Sequence, residues 1–185
     1  MTSSRLWLSL ALLVAPVAHA DPLRLLDVAE LAETAGPYEP RIGQVQVGSL
    51  PDGTVVRITL SGDMSLCDPG PGPAFGTAVI DLLQAEFLAR QCPEFETDDL
   101  AMRFDALRDL ALPRYAELVD RPLRQVRRAY RASLEDMHIP VSCDDFAASS
   151  LRAWTSDDFE ARLRAATVRD RLPAYACTWI DFEPP

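Results

Sequence analysis

Five arginines, Arg121, Arg124, Arg127, Arg128 and Arg131, crowd into one short stretch of a chain that carries no lysine and is otherwise acidic. Arginine forks bind carboxylates through paired hydrogen bonds, so a run of them can grip an acidic segment of the same chain or of a partner. Arg121, Arg124, Arg128 and Arg131 recur at spacings of three and four, which an α-helix gathers on one side, with Arg127 beside them. Leu123, Val126, Tyr130, Leu134 and Met137 recur at the same spacings on another side. The segment over 120–138 therefore reads as an amphipathic helix with an apolar face in the core and an arginine face in water. Glu117 and Asp120 stand four residues before Arg121 and Arg124, and Glu135 stands four after Arg131, so three of the arginines have local partners available. Arg127 and Arg128 have none. The plainer reading is a solvated face with tertiary ion pairs; the sharper one is a binding surface made of these five arginines. Trp154 reads first as a core residue of its own helix and second as an interface anchor.

Other residues that could do chemistry point elsewhere. An Asp-Asp pair followed by an apolar residue occurs at Asp98-Asp99, Asp144-Asp145 and Asp157-Asp158, each behind a Ser or Thr. Calcium is the tempting reading, but the alternating ligands and closing glutamate of a calcium loop are missing. Helix N-termini explain all three, because hydroxyls cap free N–H groups and carboxylates favour the positive end of the helix dipole. His138 is the one histidine beyond the first twenty residues, and at the end of a helix it reads as a C-terminal cation rather than a general base. Met64, Met102 and Met137 could serve copper(I), yet they are scattered and read as core packing. No serine sits in a nucleophile elbow or a Ser-X-X-Lys motif, no His-Glu-X-X-His occurs, and no glycine-rich turn offers a phosphate cradle. Without lysine there is no Schiff base. No catalytic residue, metal or cofactor is assigned.

The elements that must position these residues belong to an exported chain. Residues 1–20 have the build of a secretory leader: a charge at Arg5, an apolar run over 6–17, and small residues ending at Ala20, where cleavage fits. That run is too short to span a bilayer, which takes about 20 residues, and nothing later is apolar enough for stable membrane insertion. Residues 21–185 suit a single exported domain. The formal net charge is −10, and loss of Arg5 makes the remainder one unit more acidic. Such a chain disfavours nucleic acid and suits a basic partner or simple solubility. Cys67, Cys92, Cys143 and Cys177 form an even set in an oxidising compartment, hence two disulfides with three possible connectivities. Cys67 with Cys92 and Cys143 with Cys177 is the favoured pairing, since each pair brackets helical segments whose ends meet if the chain doubles back. No cysteine spacing suits a metal or haem.

The pattern along the chain predicts a short helix over 22–35, then a hairpin over 41–60 turning at Pro51-Asp52-Gly53, with residues 175–182 as a further strand. Cys67-Asp68-Pro69-Gly70-Pro71-Gly72-Pro73 is neither helix nor central strand, and is either a recognition loop or a connector tied down by Cys67. Thr77 is expected to cap a largely apolar central helix running to Gln91. Further helices are expected over 98–112, with Pro113 dividing it from 114–119, then over 120–138, 144–152 and 157–172. The fold class is α+β and predominantly α: about five to six helices with a small antiparallel sheet, stapled by two disulfides. The function this suggests is an exported cell-envelope protein, periplasmic or secreted, that binds another protein through its acidic or arginine-striped surface, as an inhibitor or immunity-type factor does. A carboxylate-dependent envelope hydrolase and an accessory protein that binds a small ligand are the alternatives. No feature sets an oligomeric state.

Overall fold

A computed structural model describes residues 21–41, 45–95 and 97–177. The leader expected over 1–20 and the strand residues expected over 178–182 lie outside them. Among the described residues the order is α1 (Val28–Thr34), β1 (Glu39–Arg41), β2 (Val45–Ser49), β3 (Val55–Ile58), β4 (Met64–Asp68), α2 (Phe75–Gln91), a 3-10 turn (Pro93–Phe95), α3 (Asp98–Leu118), α4 (Leu123–Asp136), α5 (Asp145–Trp154), α6 (Asp157–Thr167) and β5 (Tyr175–Ala176). The fold is α+β with helices predominating, as expected.

The expected hairpin forms, with Val47 opposite Arg57 and Ser49 opposite Val55. Gly53 takes a positive φ in its turn, and its N–H closes on the Leu50 carbonyl at 2.9 Å. The sheet is larger than expected, ordered β1-β2-β3-β4-β5, with β1 to β4 antiparallel and β5 parallel to β4. Strand β4 escaped the sequence because Met64-Ser65-Leu66-Cys67-Asp68 lacks alternation, and its last three residues are all buried. Helix α1 begins later than expected because residues 21–26 wrap around Asp21, whose carboxylate accepts from the N–H of Leu23 at 3.0 Å and of Leu26 at 2.8 Å. Asp27 then caps the helix through the N–H of Glu30.

Helix α2 is the central element, as its apolar circumference predicted: Val79, Leu82 and Leu83 are wholly buried, and the helix meets α3, α4, α5, α6 and β5. Thr77 does not cap it. The helix starts at Phe75 behind Ala74, and the Thr77 hydroxyl oxygen instead accepts the N–H of Ala176 at 3.0 Å. Helix α3 corrects a second expectation by running unbroken through Pro113. An interior proline costs about 3 kcal/mol. Leu107, Ala111, Leu112, Tyr115 and Ala116, on both sides of it, are buried in one core, and that packing outweighs the break. Helices α5 and α6 begin where the acidic pairs predicted, with Asp144 accepting from Phe146 and Ala147 and Ser156 accepting from Phe159. Thr97 caps α3 through Leu100 in the same way. Helix α6 stops at Thr167, five residues early, because the following segment leaves to bind Asp52 and Asp68.

The disulfides join Cys67 to Cys177 and Cys92 to Cys143. The favoured pairing is therefore wrong for both. Cys67 and Cys92 lie at opposite ends of the connection through α2, a helix of 17 residues. At about 1.5 Å per residue that helix holds its ends too far apart to bridge. The bonds instead follow the tertiary neighbours, β4 with β5 and the end of α2 with the start of α5. These two bonds are compatible with an oxidising, non-cytoplasmic compartment. Among the described residues no helix is long and apolar enough to cross a membrane.

Candidate functional site

Helix α4 keeps the apolar face its pattern predicted but spans only Leu123–Asp136, so Arg121 and Pro122 precede it and Met137 follows it. Val126, Tyr130 and Leu134 are buried, Leu123 and Met137 pack partly against the same core, and Arg121, Arg124, Arg127, Arg128 and Arg131 are all exposed. The expected local ion pairs do not form. Glu117 pairs with Arg114 at 2.9 Å, and Asp120 sits at positive φ in the turn between α3 and α4. The Glu117/Arg121 and Asp120/Arg124 spacings therefore straddle a helix break, where the rule for residues four apart does not apply. Arg131 and Glu135 do share a helix but remain apart, in keeping with the small worth of exposed pairs. Only Arg127 of the five has an ion-pair partner among the described residues, Asp109 of α3 at 3.0 Å.

Four of the five arginines divide between two recesses, and Arg121 lines neither. Arg124 and Arg128 line an open trough with Pro122, Gln125, Ala129 and Ala132. Arg127 and Arg131 turn the other way, into a cavity of about 280 Å³ between α2, α3 and α4. Two arginines that the sequence did not nominate, Arg90 and Arg108, complete its charged lining with Asp105, Asp109 and Glu86. Glu86 is the organising group. It is 5 % exposed, and one carboxylate oxygen accepts from Arg90 at 2.7 Å and Arg108 at 2.6 Å while the other accepts the Tyr130 hydroxyl at 3.0 Å. Burial, then the adjacent Glu86 charge, raises the Tyr130 phenol far above its ordinary range, so it stays a donor. Arg108 is also bound to Asp105, and its guanidinium is held charged by both carboxylates against the cost of burial. A third recess shares Glu86, Arg90, Asp105 and Arg108 with this cavity and is otherwise lined by Ala89, Leu100, Ala101 and Phe104. The Glu86–Arg90 spacing was a sequence signal that could have nominated Arg90; Arg108 joins only through the packing of α3 on α2.

The remaining sequence candidates go elsewhere. Trp154 ends α5 half-buried against the main core and lines neither recess. His138 is exposed, with Nδ1 2.8 Å from the Asp136 carbonyl, beyond the end of α4. Met137 packs on the core, but Met102 and Met64 are exposed at 62 % and 37 %, which corrects their assignment to the interior. Among the described residues the ligand atoms of Cys92, Glu94 and Cys143 lie within 4.8 Å of one another. Both sulfurs are committed to a disulfide, which leaves no thiolate for a metal.

The proline-glycine stretch is tied down by more than Cys67. Asp68, its side chain 3 % exposed, accepts from Arg169 at 2.7 Å, from Arg171 at 2.5 Å and from the Gly70 N–H at 2.8 Å, and Arg169 also donates to the Pro73 carbonyl at 3.1 Å. A Cβ on Gly70 would fall 1.8 Å from the Arg169 guanidinium, so the glycine makes room for the ion pair. That is how a connector is built.

These contacts define a disulfide-stapled α+β protein with a recessed arginine cluster on its helical side. Comparison of the chain with family models, curated proteins and solved structures finds no match.

Proposed function

We propose that the chain is an exported cell-envelope protein that binds another protein through the arginine face of α4, taking an acidic segment of that partner. The observation that carries this reading is the state of the stripe: of Arg121, Arg124, Arg127, Arg128 and Arg131, only Arg127 has an ion-pair partner among the described residues, in a chain of formal net charge −10. Carboxylates are abundant in this chain, yet elsewhere Arg103, Arg108, Arg114 and Arg169 have each found one or two. Guanidinium groups held on a rigid helix and left without internal partners are suited to an external carboxylate. An inhibitor or immunity-type role agrees with the size, the staples and a leader cleaved near Ala20, which would deliver the protein to the periplasm or the medium. The hydrolase alternative gains little, since the most buried glutamate of the helical side, Glu86, is already engaged by three donors.

The test is capture from envelope extract by the immobilised exported chain, compared with an Arg124→Gln/Arg128→Gln variant. The expected result is a stoichiometric partner that salt releases and the variant fails to retain, with circular dichroism of the variant unchanged. A partner held equally by both forms, or no partner at either salt concentration, refutes the reading.

A further inference from the structure

We infer that the cavity between α2, α3 and α4 is a subsite for a single short-chain carboxylate, with Arg127 and Arg131 as the residues that receive it. The inference rests on the arginine-face reading and names the group at its centre. Three features of the lining support it. First, four guanidinium groups face three carboxylates there, so the cavity is locally positive while the chain as a whole is at −10. A ligand with one negative charge neutralises it.

Second, the cluster is pre-organised. Arg108 is held by Glu86 and Asp105, Arg90 by Glu86, and Arg127 by Asp109 through one terminal nitrogen. Tyr130 fixes Glu86 from below at 3.0 Å. Arg127 keeps its other terminal nitrogen, and Arg131 keeps its whole fork, since no ion pair engages Arg131 among the described residues. A carboxylate entering between them meets one donor already held by Asp109 and a second, Arg131, whose fork is unengaged.

Third, the shape selects a short stem. About 280 Å³ is small for a ligand cavity, and Leu112 and Leu134 supply an apolar wall beside the charges. A glutamate-like side chain, two methylenes ending in a carboxylate, satisfies both the wall and the arginines. A free short diacid such as glutarate presents the same group.

Calorimetric titration of the exported chain with blocked tetraglutamate, blocked tetraglutamine and glutarate tests this, using Arg127→Gln/Arg131→Gln as the cavity variant and Arg124→Gln/Arg128→Gln as the trough variant. All four positions are exposed, so both variants should keep the wild-type circular dichroism. The expected result is one tetraglutamate bound per chain, no binding of tetraglutamine, and affinity reduced about tenfold or more by the cavity variant, the loss expected for charge-assisted hydrogen bonds. The trough variant should bind tetraglutamate nearly as the wild type does. Glutarate bound with the same dependence on Arg127 and Arg131 supports the subsite and assigns a free acid as a sufficient source. Tetraglutamate bound without glutarate supports a carboxylate presented on a chain. Binding of neither, or binding that survives in the cavity variant, overturns the inference. If envelope capture is lost in the trough variant but kept in the cavity variant, the subsite fails while the arginine-face reading stands. If the subsite binds tetraglutamate but no partner is ever captured, the reading fails and the subsite stands.

Discussion

Glu86 and Asp68 are both buried carboxylates that accept from two arginines, and what surrounds those arginines separates them. Around Asp68 every arginine has an internal carboxylate, although Arg169 and Arg171 also line an open recess with Asp52 and Asp170. Arg169 and Arg171 come from the segment after α6, Gly70 donates its N–H, Asp52 accepts the Leu172 N–H at 3.0 Å, and Cys177 closes the same segment onto Cys67. Around Glu86 the cluster opens onto a cavity to which α4 adds Arg127 and Arg131. The first is a chain gripping its own C-terminal segment. The second has the same chemistry with two further arginines beside it, of which only Arg127 has an ion-pair partner among the described residues. A buried ion pair alone therefore identifies no function.

The largest expected effect comes from the two disulfides. Cys67–Cys177 closes 110 residues and Cys92–Cys143 closes 51. On the loop-entropy model, replacing either pair by serine costs about 4–5 kcal/mol, with the longer loop costing about 0.7 kcal/mol more. Urea denaturation of the two double variants measures both values. Non-reducing peptide mapping should recover Cys67 linked to Cys177 and Cys92 to Cys143; a Cys67–Cys92 peptide would contradict the sheet's closure.

Next come the carboxylates themselves. Asp68→Ala leaves two half-buried guanidinium groups without their shared carboxylate and should cost about 3 kcal/mol, the lower end for breaking a buried pair, because both arginines reach solvent. Tetraglutamate affinity measured below its unfolding transition should be unchanged, because the cavity does not share its residues. A parallel loss of stability and tetraglutamate binding in Asp68→Ala would erase the distinction between the two regions.

How far either region could be read from the sequence follows from separation along the chain. The face of α4, the caps at Thr97 and Ser156 and the central role of α2 are local or periodic, and all were legible. Asp68 was not, because Arg169 and Arg171 lie 101 and 103 residues away and no pattern links them. The cysteine pairing failed for the same reason. Pro113 misled in the opposite sense, since a strong local signal yielded to the core on both sides of it. For the candidate site, the arginine stripe was visible, whereas its division into two recesses depends on where α3 packs.

A smaller effect is expected from one methyl group. The Gly76 N–H donates to the Ala174 carbonyl at 2.9 Å, and a Cβ there would sit 2.3 Å from that oxygen. Backbone cannot move aside as a side chain can, so Gly76→Ala should cost about 1–3 kcal/mol, as overpacking does. On the helical side, Tyr130→Phe removes the donor to Glu86 and should cost about 1.5–3 kcal/mol, the worth of a hydrogen bond to a charged group. Thermal melts rank the two. Tyr130→Phe should also weaken tetraglutamate binding by loosening Glu86, whereas Gly76→Ala should not.

The smallest effect is a dependence on acid that belongs to the helical side. Hydrogen bonds from the backbone, that of Ala147 first, hold the Asp144 carboxyl below its ordinary 3.8. Arg164 foremost, with Arg103, holds Glu160 below its ordinary 4.5. A carboxyl lowered by folding stabilises the native state above its unfolded value, and that contribution fades as pH falls through the folded value. Burial displaces Asp81 of α2 upward, in the opposite sense, so its ionisation opposes folding above pH 3.8 and acid relieves it. Asp144→Asn keeps an oxygen to cap α5 and removes only the charge. Its deficit against wild type should therefore be full at pH 7, begin to shrink near pH 3.8 and vanish below the folded value. Denaturation curves at pH 7 and pH 3 measure that gap. A deficit that stays constant between them would mean the cap acts through geometry alone, and the charge at the start of α5 would have no part in holding the helical side together.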